Sequence, residues 1–218
     1  MLFACSLTSI VCAQKKFEIK NASRDYNVKL EVAKCDEAFC EGAAEFSLYR
    51  KGTGKLFQTI KLADTKFMPE EAQLKASKSM YDAQSVIFFE DYNFDGQADL
   101  AVRDGFNGGY GGPSYQIYLF SPKTQKFVHS LAFTNLAQGE YLGMFEVNKK
   151  TKTLQTFAKS GCCWHRTEEF KVAKNKPQKV LEITEDATIP DETKVKITTK
   201  KLVNGKWRTS VRRIKRTE

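Results

Sequence analysis

The sequence predicts an all-β chain: an antiparallel meander forming a small propeller-like or sandwich body, with at most one short helix. Three observations predict it. Apolar and polar residues alternate with period two in stretch after stretch. Turn residues separate the later stretches at intervals of roughly 27 residues, about a strand pair with its connection. Helical spacing is confined to one segment. With 218 residues, 41% of them hydrophobic and 16 of them Phe, the chain has enough apolar surface for one domain, placed at 14–218.

The elements follow in order. Met1 to Ala13 is apolar or small, and Val11-Cys12-Ala13 before Gln14 fits a signal-peptidase site, so 1–13 is read as a secretory signal. Leu2-Phe3-Ala4-Cys5 is similar to a lipobox, which would place a lipid anchor on Cys5 if the true start lies upstream. Tyr26, Val28, Leu30 and Val32 mark a strand; Phe46 and Leu48 mark the next. Gly52-Thr53-Gly54 turns the chain. Pro69 to Ala83, with Glu70, Glu71, Ala72, Leu74, Ala76 and Met80, is the helical segment. Val86 to Phe89 is apolar throughout, Ile117 and Leu119 alternate, and Val195 and Ile197 do so again. Turns are expected at Ser121-Pro122-Lys123-Thr124, Asn148-Lys149-Lys150-Thr151, Asn175-Lys176-Pro177 and Asn204-Gly205, the last a two-residue hairpin signal. No stretch reaches the roughly 20 apolar residues of a membrane span.

Once the signal is removed, Cys35, Cys40, Cys162 and Cys163 remain, an even number suited to an oxidising compartment. Three pairings are possible. Cys35 with Cys40, and the adjacent Cys162 with Cys163, is the expected one; the cross-pairing is the alternative. CxxxxC followed much later by CC, with His129 and His165 the only histidines, is not a recurrent zinc spacing.

Asp91 to Asp99 spells D-x-N-x-D-G-x-x-D directly after an apolar strand. Calcium is a hard cation that takes six to eight oxygens, and oxygen side chains at alternate positions of a tight loop aim at one centre. Asp91, Asn93, Asp95 and Asp99 are the expected side-chain ligands. Gln97 lends its carbonyl and Gly96 permits the turn. The position where an EF-hand places its bidentate Glu is Val102, so this is not an EF-hand. Asp99 would close the site, as in the similar loops of FG-GAP repeats, with the strand Leu100-Ala101-Val102 following.

Two further loops stand out. Asp104 to Tyr115 holds five glycines but has no Walker or dinucleotide spacing, which leaves Tyr110 and Tyr115 as core aromatics or contact residues. Ser160-Gly161-Cys162-Cys163-Trp164-His165-Arg166, stiffened by a disulfide, would present Trp164, His165 and Arg166 at a strand end. Rigid aromatic and Arg groups of this kind dominate binding hot spots. No paired carboxylates, nucleophile with base or catalytic metal cluster can be assembled from the spacing, so catalysis is not expected.

Taken together, Phe88-Phe89-Glu90 through Asp99-Leu100-Ala101-Val102, the glycine-rich loop, Tyr118-Leu119-Phe120 and finally Ser160 to His165 resemble an exported bacterial family of calcium-loop proteins. The family is similar to the periplasmic inhibitors of i-type lysozyme and to immunity proteins against peptidoglycan hydrolases. The resemblance runs from about Lys16 to Ile183. It implies an exported, calcium-stabilised binding protein, periplasmic or secreted, that inhibits a peptidoglycan hydrolase, a lysozyme-like enzyme or effector. Ser160, Gly161, Trp164, His165, Arg166 and Tyr110 would form the contact surface. In the inhibitors a loop with Ser, Gly and then Tyr enters the enzyme's cleft; here the Trp164 indole replaces that phenol.

The charge is segregated. Residues 1–148 hold 16 basic and 18 acidic groups, a net of −2, and 149–218 hold 19 and 8, a net of +11, which together give the +9 of the chain. The alternative reading is therefore a non-inhibitory module that binds the cell envelope through the basic C-terminal third. The run Arg212-Arg213-Ile214-Lys215-Arg216 is read as a charged strand edge in an exported protein, so no nucleic-acid partner is expected.

Overall fold

The computed structural model describes residues 14–19, 22–74, 83–191 and 193–216. The leader expected at 1–13, with Cys5 and Cys12, lies outside them. Every strand pairing among the described residues is antiparallel, and each of the three sheets follows chain order without forming a closed barrel. The first sheet runs β1 (Lys15–Ile19), β2 (Tyr26–Cys35), β3 (Cys40–Arg50), β4 (Leu56–Leu62), with the two-residue β5 (Lys66–Phe67) against the start of β3. Along β2 the alternating residues Tyr26, Val28, Leu30 and Val32 are buried, as their period requires. The Cys35–Cys40 disulfide closes the β2–β3 turn, where the two cysteines are register partners.

β6 (Ile87–Glu90), β7 (Asp99–Gly105), β8 (Ser114–Ser121) and β9 (Lys126–His129) make the second sheet, which is the middle layer. Ile87, Leu100, Val102 and Phe127 pack into the first sheet's core. Phe88, Ala101, Tyr115 and Ile117 point the other way, into a second core with Phe133, Phe145, Leu154 and Phe170. Covered on both faces, β7 is buried without interruption from Asp99 to Arg103, so period two disappears there. Phe127 ties the first two layers together, with its ring 5.8 Å from Tyr26, 5.9 Å from Phe57 and 6.0 Å from Phe89.

The third sheet comprises β10 (Glu146–Asn148), β11 (Thr153–Ser160), β12 (Trp164–Ala173), β13 (Lys176–Asp186), β14 (Lys194–Val203) and β15 (Lys206–Lys215). Burial falls away across it: Leu154 on β11 and Phe170 on β12 reach the core, whereas every residue of β15 is exposed. The turn between β12 and β13 is Lys174-Asn175, both at positive φ, one residue before the expected triplet, and Pro177 lies within β13.

Helix is sparse. The segment expected to be helical begins as a 3₁₀ turn at Pro69–Gln73, opened by Pro69, with the Glu71 carboxylate accepting the Met68 N–H at 2.8 Å. Residues 75–82, the rest of that expectation, lie outside the described residues. One α-helical turn, α1 (Leu131–Thr134), buries Phe133 and Thr134. Four residues are too few to show a helical period in sequence. Among the described residues no helix is long and apolar enough to cross a membrane.

Candidate functional site

The Asp91–Asp99 loop joins β6 to β7 at the boundary between the second and third sheets. The Asp91 carboxylate accepts the N–H groups of Asp95 at 3.1 Å and Gly96 at 2.9 Å, which wraps the turn around it. Asn93 Oδ1 also accepts from Asp95 N–H, and its amide donates to Asp95 Oδ2 at 2.9 Å. The same amide reaches Asn175 Oδ1 at 3.1 Å, so the loop touches the β12–β13 turn. Gly96 sits at φ 89°, in the left-handed region that favours glycine.

Asp99 stands apart from these. It is fully buried, and its two oxygens accept backbone N–H groups from Tyr92 at 2.8 Å, Asn93 at 3.3 Å and Phe120 at 2.8 Å, joining the loop to β8. Burial pushes its carboxyl up to about 7, against the pull of those three donors, with the Asp95 charge adding to the rise. The donor chemistry fits a hard divalent cation: Asp91, Asn93 and Asp95 each bring side-chain oxygen to one turn, and a carbonyl can complete the set. Among the described residues no three His, Cys, Asp or Glu side chains form a metal cluster by themselves.

The two remaining candidate loops meet. The Gly161 N–H donates to the Tyr110 hydroxyl, and the Lys159 ammonium lies 5.2 Å from the centre of the Tyr110 ring. Tyr110 is 65% exposed at the tip of a 3₁₀ turn, Gly109–Gly111, with φ 56°. That tip is pinned from behind: Gly109 N–H donates to the Tyr141 carbonyl at 2.7 Å, and a Cβ on Gly109 would stand 2.6 Å from the Glu140 carbonyl oxygen. Tyr115, by contrast, is a core residue whose hydroxyl takes a hydrogen bond from Arg103.

The β11–β12 turn carries the Cys162–Cys163 disulfide, with Ser160 and Gly161 exposed and Trp164 half-buried. Strand alternation then divides the expected trio. Trp164 and Arg166 share one face, with the guanidinium 5.5 Å from the indole centre. His165 points to the other face, 5.6 Å from the Phe157 ring. There it lines a cavity of about 360 Å³ with the disulfide, Glu185, Val195 and Ile214. Arg166 is not a free probe, because it is ion-paired with Glu140 and, at 3.4 Å, with Glu168.

Spacing gave no sign of the residues that brace this surface. Glu168 is buried on β12 and accepts from the Tyr141 hydroxyl at 2.6 Å and Lys179 at 2.7 Å. Burial first, and then the carboxylate accepting its proton, hold the Tyr141 phenol well above its ordinary range. Tyr141, Glu140 and the glycine-rich loop are thereby fixed to β12. Deeper in, Arg103 on β7 is fully buried; its Nη2 reaches both Glu71 oxygens at 2.9 Å and its Nη1 donates to Tyr115 at 2.9 Å.

No protein-family model matches the chain, and no curated protein sequence does. One solved structure is similar, a Xanthomonas Type IV secretion system related protein. It is 21% identical, the match covers 91% of this chain and 97% of that one, and the TM-score is 0.71. The two chains share a fold. At this identity the likeness carries the architecture nearly end to end and nothing about the residues of the site.

Proposed function

We propose that the chain is an exported binding protein that inhibits a peptidoglycan-cleaving enzyme, using the joined tips of the glycine-rich loop and the disulfide turn. The observation that carries this is the hydrogen bond from Gly161 to the Tyr110 hydroxyl. It makes one exposed surface from two loops that lie 51 residues apart. The surface is preorganised, because the disulfide, the Gly109–Tyr141 contact and the Glu168 cluster hold it from below, so little entropy is lost when a partner binds. Two disulfides and the fold shared with a secretion-system related protein are compatible with export.

Tyr110 and Trp164 supply the apolar contact. Ser160 and Gly161 let backbone approach closely, and Tyr110 restores a phenol near the place where Trp164 lacks one. Arg166 acts by positioning, since its charge is already shared with Glu140 and Glu168. Calcium would be held by Asp91, Asn93 and Asp95 with the Gln97 carbonyl, while Asp99, whose two oxygens already take backbone N–H groups from Tyr92, Asn93 and Phe120, would close the loop onto β8. The ion's chemistry here is charge neutralisation, which relieves crowded carboxylates and steadies the loop against Asn175. No part of this reading requires turnover by the protein itself.

The test is binding and inhibition measured against lysozymes of several classes and peptidoglycan-cleaving effectors. One enzyme should be inhibited by the wild type. Tyr110→Ala and Trp164→Ala should each weaken that inhibition at least about tenfold while the melting temperature changes little. Indifference of every hydrolase, or full inhibition by the double variant, would overturn the reading.

A further inference from the structure

β15 is an open edge. Among the described residues it pairs only with β14, without a register shift, from Val203↔Lys206 to Lys194↔Lys215. The Asn204-Gly205 turn has φ of 50° and 74°, the mirror-image turn of a tight hairpin, in which the flanking Val203 and Lys206 exchange both backbone hydrogen bonds. Alternation then turns the N–H and C=O groups of Trp207, Thr209, Val211, Arg213 and Lys215 away from β14. Proteins usually blunt such an edge by shortening it or by inserting a proline or a bulge. β15 has ten residues, no proline and no bulge, and charge alone guards it.

The side chains sort by face. Lys206, Arg208, Ser210, Arg212 and Ile214 share one; Trp207, Thr209, Val211, Arg213 and Lys215 share the other. Residues 194–216 contain ten Lys+Arg and no Asp or Glu. Trp207 is nevertheless 47% exposed and Val211 55%. A second copy pairing along this edge would set cations against cations, which is destabilising. A polyanion without a peptide backbone would meet the charge but leave the outward N–H and C=O groups and both apolar side chains unmatched. An extended acidic polypeptide matches all three.

We propose that β15 is a strand-addition site for an extended acidic segment of another protein. Asp or Glu at alternate positions would lie beside Lys206, Arg208 and Arg212, and apolar residues between them beside Trp207 and Val211. The proposal goes beyond the Tyr110 surface and does not depend on it. The probe is a labelled decapeptide of alternating glutamate and valine, added to the full chain. Fluorescence anisotropy should show binding, and amide exchange should slow at Trp207, Thr209 and Val211. Val211→Pro removes one outward N–H without a β14 hydrogen bond; it and Arg212→Glu should each weaken binding at least about tenfold. The same peptide N-methylated at its valines reports on the backbone contact even if Val211→Pro disturbs the hairpin, and it should fail to bind. No binding of the parent peptide, equal binding of the methylated one or of heparin, or a β15-dependent dimer in sedimentation would overturn strand addition.

Discussion

Arg103 holds a full charge out of water, and three groups make that tolerable: Glu71 facing its Nη2, the Tyr115 hydroxyl at its Nη1, and the Phe106 ring, whose centre is 4.9 Å from the guanidinium carbon. Glu71→Ala leaves that guanidinium buried without its counter-charge and should lower stability by about 3–5 kcal/mol, read from the denaturation midpoint. Replacing Glu71 and Arg103 together with apolar residues should cost less than the sum of the single changes, because no uncompensated charge then remains. Sequence shows Arg103 only as a cation ending an apolar run, and nothing in the spacing points to Glu71, 32 residues earlier. The cysteine pairs are different. Position leaves three pairings open and favours the two local bonds over the cross-pairing; the structure holds the local pair, Cys35–Cys40 and Cys162–Cys163. Trp164, Arg166 and His165 are legible as a group, but their division between two faces needs the β11–β12 register, which places His165 opposite Lys159.

The Asp91–Asp99 loop and the glycine-rich loop each connect strands of the middle sheet, and each can be tested as a unit. Calcium should raise the melting temperature of the wild type, and Asp95→Ala should remove that gain; an unchanged gain would take the metal away from this loop. Gly109→Ala forces a Cβ against the Glu140 backbone and should displace Tyr110 from Gly161, so inhibition should fall while the far-UV spectrum is kept. The alternating strands of the first sheet are plain in the sequence because one face of each is wet. β7 hides its period because both its faces are covered, and α1 because it is a single turn. The reverse holds in the third sheet. Val195 and Ile197 alternate as well as any core strand does, yet β14 has passed the edge of the cores, where only Ile197 is buried. Periodicity reports that a strand has two unlike faces and does not say what lies against them.

Across the whole molecule the charge is uneven, and the third sheet answers locally with acid–base clusters. Glu182 accepts from Lys179 and Lys200, both at 2.7 Å, and these contacts lower its carboxyl from an ordinary 4.5 to about 2. A carboxyl lowered in the folded state contributes stability that is fully present above 4.5 and is lost as pH falls towards about 2. Chemical denaturation of Glu182→Gln should therefore show a shallower loss across that window than the wild type; identical slopes would mean that the pair contributes nothing there. The order of the sheets also bears on how the chain folds. Apart from the short β5, each strand's partners are its neighbours along the polypeptide, so during synthesis no long segment has to wait for a distant mate. The middle sheet is the exception in one respect: its second apolar face has only the segment with Phe133 and Phe145 to cover it until Leu154 and Phe170 have left the ribosome. That interval is when a nascent chain of this design most needs a chaperone, and a truncation ending before β11 should be insoluble even though two complete sheets precede the cut.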